Sequence, residues 1–170
     1  AEWGEGKPVI AILGEYDVVV VGGGTGGAPA GIAAGRQGAR TLLIEYLHGL
    51  GGVGTMGYIA TYYHGNRVGF STEATQGAAA YGDKTREGSW NPEHKSEWFR
   101  SALRKAGVDI WYGALGQGVV MDGQKVIGVV VLTPQGRGVV LAKVVVESTG
   151  NADIAAAAEC EPPGVVRPGR

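Results

Sequence analysis

The sequence predicts an α/β protein with a parallel sheet, helices on both faces of that sheet, and a small antiparallel β-meander. Three observations lead to this prediction. Two short apolar runs, at 17–21 and 41–44, are typical of strands that are buried on both faces of a parallel sheet. Between them lie a run of glycines and a segment of small residues that is typical of a helix. The segment 119–141 has valine-rich runs separated by turn dipeptides, which indicates antiparallel hairpins.

The first elements follow from the order of residues along the chain. Residues 1–15 are expected to form a lead-in segment before the domain begins at Tyr16. The first strand stops at the glycines, and a helix over 28–37 follows it. We expect this helix to end at Gly38, because glycine readily takes the left-handed conformation at a helix C-terminus. The second strand ends at Glu45.

Two further helices are predicted in the middle of the chain, after a stretch rich in glycine. Ser71 is expected to cap a short helix that extends to residue 81. Asn91 is a favourable N-cap for the next helix, and Pro92 is a favourable first residue. The basic residues of this helix, Lys95 among them, are expected to form its solvated face.

The last third of the chain predicts the meander and a final buried strand. Strands are expected at 108–112, 119–121, 125–132, 139–141 and 144–147, followed by a helix over 152–158. Residues 16–160 would then form one domain, and 161–170 a flexible tail.

Composition excludes several classes of protein. Of the 170 residues, 44% are hydrophobic and 18% charged, which excludes a highly charged disordered chain. The net charge of −1 predicts no nucleic-acid partner, and no apolar run is long enough to cross a bilayer. The single cysteine, Cys160, and three scattered histidines predict no metal site. One unpaired cysteine and no visible signal peptide predict a cytoplasmic location, with a cleaved signal left open.

A glycine motif with an acidic partner is the strongest functional signal. Gly22, Gly24 and Gly27 follow a strand and open a helix, the order that dinucleotide-binding turns require. The first glycine makes the tight turn, the second lets a pyrophosphate approach, and the third lets the helix pack closely. Glu45, at the end of the second strand, is placed to accept hydrogen bonds from ribose hydroxyls. The alternative is a structural loop in an α/β protein that binds nothing.

Three segments in this order resemble FAD-dependent oxidoreductases of the glutathione-reductase-like superfamily. The first runs from Tyr16 to Glu45, and the second, GGVGTMG at 51–57, is similar to the glycine-rich stretch beside the flavin in those proteins. The third, VVVESTGNADIAAAA at 144–158, is similar to their last parallel strand and the turn after it, although Asn151 stands where they have an acid. The resemblance implies a Rossmann-like, amino-terminal FAD-binding portion.

The resemblance also implies roles for individual residues. The pyrophosphate would lie against the backbone of the glycine turn, the adenosine ribose against Glu45, and the flavin end near the second glycine segment. The residues with implied cofactor contacts are Gly22, Gly24, Thr25, Gly26, Gly27, Glu45, Gly51, Gly52, Thr55, Thr149 and Gly150. The alternative for 51–57 is a flexible surface loop. His64 is the one candidate acid or base, and the alternative for it is an ordinary surface histidine.

Three functional hypotheses therefore stay open from the sequence. The first is an FAD-dependent oxidoreductase that transfers a hydride from a small organic substrate. The second is the NAD-binding domain of a dehydrogenase, which has no need of the predicted meander. The third is a non-catalytic fragment or subunit that needs a partner chain or a second copy, because enzymes of the resembled superfamily usually continue for several hundred residues.

Overall fold

A seven-stranded sheet forms the centre of the computed structural model, which describes residues 2–3, 10–82 and 88–158. The order along the sheet is β4-β3-β2-β7-β6-β5, with β1 paired to β2. Strands β2, β3, β4 and β7 run parallel, and β5, β6 and β7 pair antiparallel in sequence order. The strands are β1 Glu2–Trp3, β2 Ile10–Val21, β3 Thr41–Glu45, β4 Asp109–Tyr112, β5 Leu115–Asp122, β6 Lys125–Thr133 and β7 Gly136–Glu147.

The described residues contain four α-helices and one short 3₁₀ turn, at Gly52–Gly54. The helices are α1 Gly27–Arg36, α2 Phe70–Ala79, α3 Pro92–Lys105 and α4 Asp153–Ala157. Helix α3 begins as predicted, because the Asn91 side chain accepts hydrogen bonds from two N–H groups of the first turn. The predicted cap of α2 is wrong. Gly69 precedes that helix at φ +60°, and Ser71 lies inside it with its hydroxyl donating to the Val68 carbonyl.

Strand β7 joins two elements that were predicted as separate. Its first half pairs with β6 over 136–141 and closes the meander, and residues 138–147 pair with β2 in parallel. Residues 11–15 of β2 also pair with β7, so the predicted boundary after residue 15 falls inside a strand. The predicted tail at 161–170 lies outside the described residues.

The two faces of the sheet are covered by different kinds of structure. Val20 and Leu43 pack with Ile32 of α1 and Leu103 of α3 on one face. The neighbouring strand residues point to the other face, where they pack with the meander strands β5 and β6 and with the short α4; these are Val19, Val21, Leu42 and Ile44. The Rossmann-like class is confirmed, and the second face of the sheet is covered by the short α4 together with the meander strands.

The carboxyl end of β7 is more open than predicted. We expected 144–147 to be a buried strand, yet Val144 is 53% exposed. The strand lies between β2 and β6 in the sheet order, but α1 and α3 contact mainly β2, β3 and β4. A continuous valine run therefore indicated a sheet position correctly, while it did not indicate which part of the strand a neighbouring helix covers.

Candidate dinucleotide-binding site

Three parallel strands end at the same edge of the sheet, and the loops that follow them form a groove. Strand β2 ends at Val21, β3 at Glu45 and β7 at Glu147. Two adjoining cavities of about 310 and 470 Å³ lie there, and we call them together the strand-end groove. Both cavities are lined by Gly24, Gly52, Ser148 and Thr149. Open α/β sheets bind ligands at the carboxyl ends of their strands, so this is the expected place for a ligand.

The three glycines of the motif have different roles in the structure. A Cβ atom on Gly22 would lie 2.2 Å from the Ser148 carbonyl oxygen, and one on Gly27 would lie 1.7 Å from the Gly22 carbonyl oxygen. A Cβ atom on Gly24 would meet nothing closer than 3.9 Å. The first and third glycines are therefore required by the packing of the turn itself. The second leaves a space beside the backbone that protein atoms do not fill.

Backbone N–H groups at the start of α1 face this space. Among the described residues, no hydrogen-bond acceptor is found for the amides of Gly24, Thr25 and Gly26. They lie at the positive end of the α1 dipole, which favours an anion. The arrangement fits a pyrophosphate, which brings negative charge and acceptor oxygens but no donors.

Glu45 lines the groove and also supports the glycine turn. Its carboxylate accepts hydrogen bonds from the Gly23 amide at 2.6 Å and the Leu47 amide at 2.7 Å. A carboxylate has about four acceptor sites, so two remain for a ligand hydroxyl. The side chain is thus fixed in place before any ligand binds, which is the pre-organisation that ribose recognition needs.

The second glycine segment is bound to the first through the backbone. The Gly51 amide donates to the Gly23 carbonyl at 2.9 Å, and the Thr25 hydroxyl donates to the Gly51 carbonyl at 3.2 Å. Gly52 lines the groove as predicted. Thr55 does not, because its side chain is buried and its hydroxyl donates to the Leu50 and Gly52 carbonyls. These hydrogen bonds give Thr55 a role in shaping the loop, while its cofactor contact stays a prediction.

The turn after β7 is held by an acidic side chain. Glu147 accepts hydrogen bonds from the amides of Thr149, Ile154 and Ala155, and so caps the short α4. Burial by itself raises the pKa of Glu147, but these N–H groups lower it more, and the net effect is a pKa below the usual value. Thr149 and Gly150 line the groove beside it.

The comparison with known families identifies the type of ligand. Residues 17–162 match the family model described as FAD dependent oxidoreductase. The chain belongs to this family. FAD is therefore its cofactor, and the strand-end groove has features that fit FAD: a space beside Gly24, unpaired amides at the start of α1, and Glu45 at the end of β3.

Solved structures with the same fold include several proteins that are longer than this chain. THI4 from Thermovibrio ammonificans is 23% identical with a TM-score of 0.63, over 89% of this chain and 64% of that one. A geranylgeranyl bacteriochlorophyll reductase-like protein from Thermoplasma acidophilum is 24% identical with a TM-score of 0.63, over 85% and 42%. The myxobacterial chondrochloren halogenase CndH is 16% identical with a TM-score of 0.64, over 84% and 39%. The chain thus spans less than two-thirds of each.

Other predictions concern residues away from the groove. His64 lies on an exposed loop and lines neither cavity of the groove, so the structure gives it no catalytic setting. In the described parts of the chain, no helix is long and apolar enough to cross a membrane. No group of three metal-ligating side chains is found within those same residues. Cys160 lies outside them.

A further cavity also lies against the glycine segment, and sequence reasoning missed it. We call it the lysine cavity; it measures about 360 Å³ and is lined by Thr25, Pro29, Gly51, Val53, Gly54, Ile59, Thr61, Tyr62, Phe70, Ser71, Ala74, Trp90, Lys95 and Phe99. Lys95 is only 6% exposed, so its predicted place on the solvated face of α3 is wrong. The signal was present, because Lys95 precedes Phe99 and Leu103 by four and eight residues and so shares their buried face.

Proposed function

We propose that this chain forms the FAD-binding portion of an enzyme that transfers a hydride to or from a small organic substrate. The observation that carries the proposal is the space beside Gly24, next to three amides without an acceptor; among the described residues, none fills this space and none accepts from these amides. A turn with a purely structural role would need neither the empty space nor the free amides. The membership of the family supports FAD rather than NAD as the occupant.

The residues of the chain have separate tasks in this proposal. Amides of Gly24, Thr25 and Gly26 hold the pyrophosphate, and the free acceptor sites of Glu45 receive the ribose hydroxyls. Gly22 and Gly27 keep the turn in shape, and the neighbouring groove residues Gly52, Thr149 and Gly150 line the path of the cofactor. When bound, FAD supplies the redox chemistry. The protein orients the cofactor and excludes water from it.

The rest of the catalytic machinery is proposed to come from polypeptide beyond these residues, either in a longer chain or in a partner. The fraction of the related structures that this chain spans, 39% to 64%, supports this view. The substrate pocket then lies partly in that other polypeptide.

An absorption spectrum tests the proposal directly. The purified chain is mixed with FAD, desalted and scanned in the visible range, with NAD as the competing ligand in a parallel thermal-shift titration. We expect a retained flavin spectrum and stabilisation by FAD but not by NAD, since a ligand that binds the native state raises its stability. Stabilisation by NAD alone would favour the dehydrogenase alternative. No uptake of either nucleotide, by this chain or by a longer form of the protein, would contradict the proposal.

A further inference from the structure

Lys95 carries a buried amino group that has no acidic partner in the part of the chain that the structure describes. No described carboxylate lies within 4.0 Å of its Nζ atom. The amine lies 3.4 Å from the centre of the Trp90 ring and 3.4 Å from the Tyr62 hydroxyl oxygen. An ammonium group has three N–H donors, so only one of them finds an acceptor here, and at a long distance.

The aromatic rings offset only part of the free-energy cost of burying this ammonium group. The Trp90 ring faces the amine, and the Tyr62 ring centre lies 5.1 Å from it, which are both cation–π distances. Burial nevertheless lowers the pKa of Lys95 to about 8. The amine therefore still carries its charge at neutral pH, while it lacks the anion that buried cations normally have.

The shape and lining of the lysine cavity restrict what can supply that anion. Apolar and aromatic side chains, including Val53, Ile59 and Phe70, form most of the wall around the amine. The Trp90 indole N–H is already used, because it donates to the Gly54 carbonyl at 2.6 Å. A volume of about 360 Å³ lies within the usual range for small-molecule sites. The cavity thus combines one positive charge with a mostly apolar lining, of which Val53 and Ile59 are themselves exposed.

The lysine cavity also adjoins the strand-end groove. Thr25 and Val53 line both, and the glycine segment 51–54 separates the two spaces. A molecule in the lysine cavity would therefore be next to the residues that are proposed to hold the cofactor. This position favours a substrate over a structural ligand.

We propose that the lysine cavity binds an organic carboxylate, with the acid group at Lys95 and the apolar part against Tyr62, Phe70 and Trp90. This inference rests on the proposed function in one respect, namely that the bound acid is the substrate of the flavin. The binding itself depends only on Lys95 and its surroundings. A carboxylate fits better than a phosphate because its single charge matches one amine and its body can be apolar.

Calorimetric titration of a matched pair of probes tests the site. The probes are 3-phenylpropanoate and 3-phenylpropanamide, which differ in charge but hardly in shape, and the protein is the full chain loaded with FAD. We expect the acid to bind ~10-fold or more tightly than the amide, because only the acid forms an ion pair with the ammonium group. Lys95→Met is expected to remove the preference and Lys105→Met, exposed on the same helix, to leave it intact.

Several outcomes would overturn the inference. These are equal affinities for the two probes in the unchanged chain, no detectable binding of the acid, or a preference that persists in Lys95→Met. Circular dichroism of the variant shows whether it is folded, and Lys95→Arg, which keeps the charge, should keep part of the preference if the fold is intact. FAD uptake is read separately from the visible spectrum, so a failure of cofactor binding and a failure of the carboxylate site give different results.

Discussion

The strand-end groove and the lysine cavity share the glycine segment 51–54 but are built from different parts of the chain. The groove is lined by residues of the loops that follow parallel strands, glycines among them, and Glu45 is one of its acidic side chains. The lysine cavity is lined by side chains that come from α2, α3 and the loops near Tyr62 and Trp90. A backbone site is sensitive to added atoms, whereas a side-chain site is sensitive to changed chemistry. Substitutions in the two regions should therefore affect stability and ligand binding in different ways.

The largest effect is expected for Gly27→Ala in the glycine turn. Its new Cβ atom would lie 1.7 Å from the Gly22 carbonyl oxygen, which is backbone and has no alternative rotamer. We expect a loss of ~3 kcal/mol or more in the free energy of unfolding, at the upper end of the range for overpacking. Urea denaturation measures the loss. Stability close to that of the unchanged chain would mean that the turn has another conformation.

Gly24→Ala should separate cofactor binding from folding in the same turn. Its Cβ atom would have no protein neighbour closer than 3.9 Å, so we expect stability to change by less than ~0.5 kcal/mol. The methyl group would occupy the space proposed for the pyrophosphate, and FAD affinity should fall ~100-fold, which corresponds to roughly 2.7 kcal/mol. Quenching of flavin fluorescence on titration measures the affinity.

Gly118→Ala is the matched control for that experiment. Its Cβ atom would lie in ordinary contact with Val130, 3.7 Å away in the meander, and Gly118 lines neither cavity of the groove. We expect unchanged FAD affinity in this variant. If Gly24→Ala also bound FAD normally, the space beside Gly24 would have no part in holding the cofactor.

The two regions also show what could be predicted from the sequence. The glycine turn and Glu45 were predictable because strand, turn, helix and acid are close in the chain, and local spacing fixes their geometry. The lysine cavity was not, because Tyr62 and Lys95 are 33 residues apart and meet only through tertiary packing. Likewise, the continuous valines of β2 predicted cover on both faces of the sheet. They carried no information on whether helices or the meander would pack against each face.

Lys95→Met should stabilise the protein when no ligand is present. Burial lowers the pKa of Lys95 to about 8 from an ordinary 10.5, so between these values the unfolded chain binds more protons than the folded one. Stability of the unchanged chain should therefore rise with pH across this window, while that of Lys95→Met should not. At neutral pH we expect the variant to gain roughly 1–3 kcal/mol, since apolar replacement of a buried charge often stabilises.

Thermal unfolding across a pH series measures this gain, with Lys105→Met as the control because that side chain is exposed. A gain in stability combined with a loss of carboxylate preference would show that Lys95 contributes to binding while it lowers the free energy of unfolding. A loss of stability at neutral pH would instead show that contacts with Trp90 and Tyr62 outweigh the burial, and Lys95 would then be structural.

The smallest effect concerns the acid that supports the groove from the β7 side. Glu147 accepts three backbone hydrogen bonds, and replacing it by glutamine leaves one acceptor oxygen in place of two charged ones. We expect Glu147→Gln to lose about 1–2 kcal/mol at neutral pH, as is usual for hydrogen bonds to a charged group. Because its pKa is lowered in the folded state, the stabilisation is fully present above the usual value of 4.5. It is lost as the pH falls through the lower folded value.

The control for this prediction is Glu73→Gln, since Glu73 also has a lowered pKa but gains it from an exposed ion pair with Arg36. Such surface pairs contribute little, ~0.5 kcal/mol or less, so its replacement should hardly change stability at any pH. The difference between the two variants should shrink on acidification, as the Glu147 carboxylate becomes protonated. Equal and small losses at neutral pH would mean that α4 holds its position without Glu147, and the groove wall at Thr149 and Gly150 would not depend on that carboxylate.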